Sequence, residues 1–408
     1  MQQASDIDLM DLDPFVAGED GALFRRLRDE DPCHWNDEAN GPGFWSLTRY
    51  EDIKAVAGDW QTFSSAQGTQ IESRRAEGHG KPSIHNMDPP RHKLLRNLLT
   101  SEFTREGVSR MEPRAREVVT EHLDALVAAG TTDLVATATM QIPILVFGTM
   151  LGAPKEDVHR LLEWTNVMSG QSDPDYGADP AVVERVRHEV FDYFHELTEA
   201  RRAAPQEDLI SVLVQGEVDG QRLQRDELDP YYLVMLVAGN ETTRNMMTGA
   251  ALLLHQHPEE RERLKAGLVT PRQAIEEVVR MVSPIVCMRR TATRDVELHG
   301  KQIKEGDKVV LWFTSANRDE RVFDDPDRLI LDRTPNKHLG FGRGPHFCIG
   351  SHLARLEGEI LLEELVRRDL TIEVLGTPER LRSNFFRGIK KLPVAVRSAS
   401  GCPVGAHG

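Results

Sequence analysis

The sequence is short of positive charge. Its 408 residues carry 50 Lys and Arg against 65 Asp and Glu, so the formal net charge is −15. A general nucleic-acid-binding protein needs a basic surface to meet the phosphate backbone. The acidic balance therefore argues against nucleic acid as a partner.

Cysteines are few, and long apolar runs are missing. The four cysteines, Cys33, Cys287, Cys348 and Cys402, are spaced neither as a disulfide framework nor as a CxxC zinc site. We expect reduced thiols in a cytoplasmic protein. The first 15 residues hold four aspartates and no basic segment, which is not the pattern of a signal peptide. No apolar run reaches the roughly 18 residues of a membrane span, so we expect no membrane anchor.

Internal repeats and long linkers are also missing, which predicts a single domain over residues 1–408. Apolar periodicity and capping residues predict a mainly α protein with small β-sheets, an α+β class. Helices are predicted over residues 109–129, 229–257, 271–282 and 351–368. Strands are predicted at residues 44–48, 296–298 and 309–313, and a long polar loop at residues 63–87.

The most informative segment is residues 341–350, Phe-Gly-Arg-Gly-Pro-His-Phe-Cys-Ile-Gly. Its glycines permit close approach of the backbone to a flat group, and a predicted helix follows at once. The N–H groups and dipole at a helix N-terminus stabilise a thiolate, which is a good ligand for a soft metal such as haem iron. From the residues alone, two alternatives stay open: a buried structural cysteine, and a zinc site through His346, Cys348 and His352.

This segment matches, at every fixed position, the haem-binding signature Phe-Gly-x-Gly-x-His-x-Cys-x-Gly, and on it the chain resembles the cytochrome P450 superfamily. The resemblance implies the helix-rich, triangular P450 fold and haem b as the cofactor. It implies that Cys348 is the metal ligand on the proximal side of the haem. Phe341, Gly342 and Gly350 would belong to the haem-binding loop, and His346 would reach a propionate.

A second segment, residues 88–96, resembles a haem-binding helix of bacterial family members. His92 and Arg96 are four residues apart and project from one helix face, which suits an anionic group, although a basic surface patch has the same pattern. By the resemblance both bind a haem propionate. Arg290 resembles a further propionate ligand of the family. Because Arg289 is adjacent, the sequence leaves open which of the two arginines contacts the propionate.

A third segment, residues 238–243, reads Ala-Gly-Asn-Glu-Thr-Thr and interrupts an apolar predicted helix. Polar residues there compete for backbone hydrogen bonds, which indicates a function or a kinked helix with Thr242 bonded to the carbonyl four residues back. By the resemblance, Glu241 and Thr242 are an acid–threonine pair that relays protons, and Ala238 borders the haem.

The resemblance implies a monooxygenase that inserts one atom of O₂ into a C–H bond. Electrons would come from a separate ferredoxin and its reductase, since no flavin domain is fused. Glu277 and Arg280, one helical turn apart, resemble the family's buried structural ion pair. A peroxide-using haem-thiolate enzyme and a non-catalytic haem protein are the competing functions, and both leave the polar residues Glu241 and Thr242 without a purpose.

The segments expected to line the substrate pocket are mostly apolar: residues 63–87, 237–238, 285–288 and 385–386. Apolar pockets gain affinity by burying apolar area and penalise unpaired polar groups. This predicts a small hydrophobic substrate, such as a terpenoid, a steroid or a lipid. The cations Arg74, Arg75, His79 and Lys81 leave open a polar or carrier-bound natural-product intermediate.

The surface over Cys348 is expected to be basic, in spite of the negative net charge. Four cationic residues lie on segments that the family fold places there: Arg91, Lys93, Arg343 and Arg355. Such a surface would attract an acidic ferredoxin.

Overall fold

The computed structural model describes residues 4–72, 81–170, 173–176 and 179–398. Four residues singled out in the sequence, Arg74, Arg75, His79 and Cys402, lie outside these ranges.

The described chain is built mainly of α-helices, as the apolar periodicity predicts. In chain order they are α1 (Asp13–Ala17), α2 (Asp20–Glu30), α3 (Tyr50–Gly58), α4 (Arg91–Thr100), α5 (Arg105–Ser109), α6 (Glu112–Ala129), α7 (Gln141–Leu151), α8 (Val158–Ser169), α9 (Pro180–Ala203), α10 (Leu209–Gln215), α11 (Arg225–Gln256), α12 (Pro258–Lys265), α13 (Pro271–Val282), α14 (Phe313–Ala316) and α15 (Ser351–Arg367). Short 3-10 helices lie at Ala4–Asp6, Ile84–Asn86, Lys155–Asp157 and Gly344–His346, and a π-helical segment lies at Val135–Thr139. None of the described helices is long and apolar enough to cross a membrane.

Short strands form the β portion. They are β1 (Cys33–Asn36), β2 (Phe44–Leu47), β3 (Phe63–Ser64), β4 (Thr131–Asp133), β5 (Glu217–Val218), β6 (Gln221–Arg222), β7 (Cys287–Ala292), β8 (Val296–Leu298), β9 (Lys301–Ile303), β10 (Lys308–Trp312), β11 (Leu370–Val374), β12 (Glu379–Arg380), β13 (Ile389–Lys391) and β14 (Pro393–Ser398). One sheet has the order β1-β2-β10-β7-β3, with β10 parallel to β2 and the other neighbours antiparallel. A second sheet has the order β11-β14-β4, and β5-β6, β8-β9 and β12-β13 form two-stranded pairs.

Two predicted helix starts are wrong, and local capping explains both. The helix predicted over residues 109–129 begins instead at Glu112, with Pro113 in the first turn of α6. Ser109 is the last residue of the separate helix α5, which Thr104 caps by accepting a hydrogen bond from Gly107 N at 3.0 Å through its Oγ1. The helix predicted to begin at residue 229 begins at Arg225 instead. A capping box between Gln224 and Glu227 sets that start and leaves Pro230 inside the helix.

The central helix α11 packs against α7, α8, α9, α13 and α15. The largest apolar cluster is formed mostly by these helices, and two smaller clusters flank the five-stranded sheet. Because α11 crosses the core, polar side chains near its middle lie far from bulk water.

The predicted pair on α13, Glu277 and Arg280, is completely buried and bidentate. Arg280 Nε and Nη2 each donate to a Glu277 carboxylate oxygen at 2.8 Å. Arg280 Nη1 also donates to the carbonyls of Asn317 and Pro326 at 2.7 Å, and Glu277 accepts Ile330 N–H at 3.0 Å. The pair therefore joins α13 to the irregular segment that leads into residues 341–350, which is the structural role that the sequence predicts.

Candidate functional site

The loop 341–350, called here the cysteine loop, places Cys348 just before α15. Cys348 N–H donates to Phe341 O at 2.9 Å, which closes the loop. Gly342 and Gly344 have φ values of +70° and +73°, in the left-handed region that favours glycine. A Cβ atom at Gly344 would lie 2.5 Å from Ala57 O, so the loop packs backbone against backbone on the end of α3.

The Phe341 ring at the start of this loop is held by a network between α13 and α15. The Arg355 guanidinium lies 4.3 Å from the centroid of the ring. Glu276 Oε2 is 3.0 Å from both Arg355 Nη2 and His338 Nε2. Burial alone raises the pKa of Glu276, but these hydrogen bonds and charges bring it down to about 2.

Cys348 is partly accessible, whereas Cys33 and Cys287 are buried. Burial raises the pKa of the Cys348 thiol, while the Gly350 N–H and the charges of Arg96 and Arg355 act to lower it. A bound metal cation would supply the remaining stabilisation of a thiolate. Within the described ranges no three His, Cys, Asp or Glu side chains form a metal-ligand group, so the zinc alternative has no ligand set.

A group of five basic side chains, called here the cationic cluster, lies beside the cysteine loop: His85, His92, Arg96, Arg290 and His346. The ring centroids of His92 and His346 are 4.2 Å apart. Arg96 Nη2 donates to Phe347 O at 2.6 Å, which ties α4 to the loop. The two segments that the sequence predicts to act together are therefore in contact.

The cationic cluster has buried charge without enough acid to match it. Burial and then Arg290 lower the pKa of His346 to about 2, burial and then Arg96 lower that of His92 to about 4, and burial lowers that of Arg290 to about 10. Asp88 opposes part of this, but it also accepts hydrogen bonds from Ser64 and Ser65. His92 Nδ1 and His346 Nε2 are buried without a partner among the described residues. Such a cluster fits a group with several anionic acceptors, and the two propionates of a haem meet that need.

Successive side chains of a strand lie on opposite faces of the sheet, so Arg289 and Arg290 of β7 have different surroundings. Arg290 lies within electrostatic range of His346 and His85. Arg289 Nη2 instead donates to Gln67 O at 3.0 Å, on the segment after β3. The structure therefore assigns Arg290, the residue favoured in the sequence, to the cationic cluster.

The sequence analysis missed His85. It lies on the 3-10 helix Ile84–Asn86 just before α4, with its Nδ1 3.0 Å from Ser83 Oγ. Burial and the charge of Arg290 lower the pKa of His85 to about 4. No motif in the sequence around His85 distinguishes it from other lone histidines.

Ala238 and Thr242 lie on the same face of α11, four residues apart. Both are accessible although α11 crosses the core, so both border interior space rather than packed protein. Thr242 Oγ1 donates to Ala238 O at 2.9 Å, the bond that the kinked-helix interpretation expects. A Cβ at Gly239 would lie 2.9 Å from Phe147 Cδ1, so close packing against α7 explains this glycine.

Glu241, by contrast, is fully buried and held on three sides. Its carboxylate forms an ion pair with Arg244 one turn along α11. Asn245 Nδ2 donates to Glu241 Oε1 at 3.0 Å, and Ser169 Oγ at the end of α8 lies 3.3 Å from Oε2. Burial of an ionised carboxylate requires partners of this kind.

The segments predicted to line the pocket partly come together. Val286 N–H donates to Phe385 O at 2.8 Å, and Ile285 forms an isolated β-bridge with Phe386. Ile285, Met288 and Phe385 remain partly accessible. Val286 and Phe386 are buried, at 1% and 6% exposure, so their predicted place on an open pocket wall is wrong.

The predicted basic surface over Cys348 is half neutralised. Arg91 forms ion pairs with Asp219 and Glu227, and Arg355 is bonded to Glu276. Lys93 and Arg343 are exposed. Local ion pairs, which the sequence alone does not reveal, reduce the expected charge on this surface.

The chain resembles known proteins over nearly its whole length. The family model described as Cytochrome P450 matches residues 41–270 and 268–374. A "Methyl-branched lipid omega-hydroxylase" of Mycobacterium tuberculosis is 39% identical over 408 residues, covering 96% of this chain and 94% of that protein. A "Steroid C26-monooxygenase" of Mycolicibacterium smegmatis is 34% identical, covering 93% of each.

A solved structure has the same fold. It is a Mycobacterium marinum cytochrome P450 in complex with pseudoionone, with a TM-score of 0.88 and 34% sequence identity. The alignment covers 93% of this chain and 96% of that one. The mainly α architecture with small sheets is thereby confirmed.

The Glu276 network predicts acid-sensitive stability. The folded-state pKa of Glu276, about 2, lies below its ordinary value of 4.5, so its stabilisation is complete above that ordinary value and is lost as pH falls toward the folded pKa. We expect Glu276→Gln to lower the free energy of unfolding by about 2 kcal/mol near neutral pH, and by progressively less below about pH 4.5. Urea unfolding followed by circular dichroism at a series of pH values measures this difference.

Glu30→Gln is the matched control, because Glu30 belongs to the exposed helical pair with Arg26. It should change the unfolding free energy little at any pH. A difference for Glu276→Gln that stays constant down to about pH 3 would contradict the predicted linkage.

Proposed function

Because the chain belongs to the cytochrome P450 family, whose cofactor is haem b, we propose that Cys348 is the thiolate ligand of its haem iron. The chain is a P450 monooxygenase, an oxidoreductase, and its relatives act on hydrophobic substrates. The observation that carries the assignment is the cysteine loop, which presents a partly accessible Cys348 next to a buried, acid-poor cationic cluster. Bound haem supplies the iron at which O₂ is activated, and a thiolate ligand favours O–O cleavage.

The cationic cluster holds the propionates in this proposal. Arg96 and Arg290 provide charge, and His92 and His346 provide the buried nitrogen atoms that have no partner among the described residues. His85 joins them from the segment before α4. Phe341, Gly342 and Gly350 shape the cysteine loop, and Ala238, accessible on α11, would border the haem.

Glu241 and Thr242 on α11 deliver protons to the reaction site in this proposal. The Thr242 hydroxyl borders interior space, where it can hold a water molecule and pass on a proton. Glu241 lies one residue away, buried and paired with Arg244, so its carboxylate is placed to pass protons on and not to bind substrate. The peroxide-using and non-catalytic alternatives need neither residue, and turnover with a redox partner separates the three functions.

We propose a terpenoid, steroid or lipid-like substrate for the pocket. Ile285, Met288 and Phe385, which are apolar and partly accessible, would form its walls, and the names of two relatives specify a methyl-branched lipid and a steroid. A polar or carrier-bound intermediate is less well supported, since Lys81 already pairs with Asp226 and Glu227.

We propose that the electrons come from a separate ferredoxin with its reductase. The enzyme is, in the same proposal, cytoplasmic and forms one domain over residues 1–408. The exposed cations Lys93 and Arg343 support docking of an acidic partner near the cysteine loop.

Replacing Cys348 tests the iron ligand. Cys348→His should retain some haem, but its reduced carbon monoxide complex should lose the long-wavelength Soret band of thiolate-ligated haem. Absorption spectra of the purified variant measure this. Cys33→Ser is the control, because burial makes that thiol inert and raises its pKa to about 12. Survival of the long-wavelength band in Cys348→His would rule out the assignment.

Replacing Thr242 tests the proton role. Thr242→Ala should leave the substrate-induced spin-state shift almost intact and reduce product formed per electron several-fold, with more peroxide released, because proton delivery is impaired. Parallel assays of product, peroxide and electron-donor consumption measure the coupling. Thr243→Ala alters the next residue on the helix and should couple normally. Equal coupling in Thr242→Ala and the wild type would exclude the proposed role.

A ligand panel tests the substrate class. Terpenoids, steroids and branched fatty acids should shift the haem spin state at micromolar concentration, because apolar area buried in the pocket contributes roughly 25 cal/mol per Å². Spectral titration measures the dissociation constants. Shifts produced exclusively by multiply charged or carrier-tethered compounds would favour the polar alternative.

A further inference from the structure

Glu241 cannot exchange protons with solvent directly. Its exposed fraction is 0%, and its carboxylate lies against α8 and the middle of α11. The proton role proposed for it requires that every proton this carboxylate passes on first reach it from solvent. Some neighbouring group must therefore connect it to water.

The partners of the carboxylate differ in what they can transfer. The Arg244 guanidinium has donors but no acceptor atom, and the NH₂ group of Asn245 is likewise a donor only, so neither group can take up one proton while releasing another. Both side chains are also buried, at 1% exposure each. Ser169 carries a hydroxyl, which can accept one proton while donating another, and it is partly accessible. Among the side chains that the structure shows hydrogen-bonded to this carboxylate, Ser169 is thus the one that combines proton-transfer chemistry with access.

The hydroxyl of Ser169 has two acceptors within reach. Ser169 Oγ is 2.7 Å from Thr165 O, on its own helix, and 3.3 Å from Glu241 Oε2. A serine hydroxyl has one proton, so it can serve one acceptor at a time. Rotation about the Cβ–Oγ bond moves that proton between the carbonyl and the carboxylate.

The end of α8 is held firmly beside the acid. Asn166 Oδ1, one turn before Ser169, accepts a hydrogen bond from Arg244 Nη1 at 2.8 Å. Gly170 follows Ser169, and a Cβ there would lie 2.6 Å from Tyr176 Cβ, so Tyr176 packs directly over the helix end. These contacts fix the distance between Ser169 and Glu241.

We propose that Ser169 is a proton-relay residue that connects Glu241 to water. The Ser169 oxygen accepts a proton from a hydronium ion of the solvent on its accessible side and releases its own hydroxyl proton to the ionised Glu241 Oε2. One O–H bond breaks in the hydronium ion, which leaves as water, and one forms on the carboxylate, which becomes neutral; the serine hydroxyl is regenerated and no electron moves. The inference rests on the proton role proposed above for Glu241.

The test uses the full-length, haem-loaded enzyme with a substrate that shifts its spin state and with a ferredoxin–reductase pair. Ser169→Ala should lower product per electron at least threefold, raise peroxide release and increase the solvent deuterium isotope effect on turnover. Its substrate dissociation constant, the amplitude of its spin shift and its melting temperature should match the wild type. Ser169→Thr keeps the hydroxyl and should restore coupling.

Ser109→Ala is the matched control, because Ser109 Oγ also donates to a carbonyl of its own helix, Glu106 O at 2.7 Å, far from Glu241. It should leave all of these quantities unchanged. Unchanged coupling and isotope effect in Ser169→Ala overturn the relay, and so does a coupling loss accompanied by loss of the spin shift, which would show that Ser169 shapes α8 instead. A wild type that yields neither product nor peroxide overturns the proposed function and the relay with it.

Discussion

The constraint on which the site depends is positive charge buried with too little acid beside it. Arg290 and His92 are each 4% exposed or less, and the nearby Asp88 is shared with Ser64 and Ser65. Desolvation drives the histidines to the neutral state, but the guanidiniums stay charged. A folded protein tolerates buried guanidiniums when an anion binds next to them. The cluster comes from three elements, α4, β7 and the cysteine loop, which together surround the place where such an anion would bind.

The fold was largely predictable because most of its elements have strong local signals. Pro271–Val282 has a capping residue, an initial proline and clear apolar periodicity, and α13 has those bounds. The failures occurred where two local signals competed. Asp229 followed by Pro230 imitates a helix start, yet Glu227 accepts the Gln224 N–H in a capping box and α11 begins four residues earlier than predicted.

The site residues also fall into those that the sequence indicated and those that it did not. Motifs of neighbouring residues, such as the one around Cys348, could be recognised in the sequence, because the reactive residue types stand there at a fixed spacing. His85 and Ser169 were not, since each acquires its surroundings from elements distant along the chain, and a lone histidine or serine has no distinguishing pattern. The ion pair between Arg355 and Glu276 was hidden for the same reason, and it removes charge that the sequence had assigned to the surface.

The cationic cluster also has a consequence for the life of the protein in the cell. A ligand that binds the folded state and not the unfolded chain adds its binding free energy to folding stability by mass action. Haem would both satisfy the buried guanidiniums and contribute such binding, so the amount of folded enzyme is tied to the haem supply. Chains made faster than haem is delivered would spend longer in partly open states, where proteases remove them. The abundance of this enzyme would then follow cellular haem synthesis as well as the transcription of its own gene.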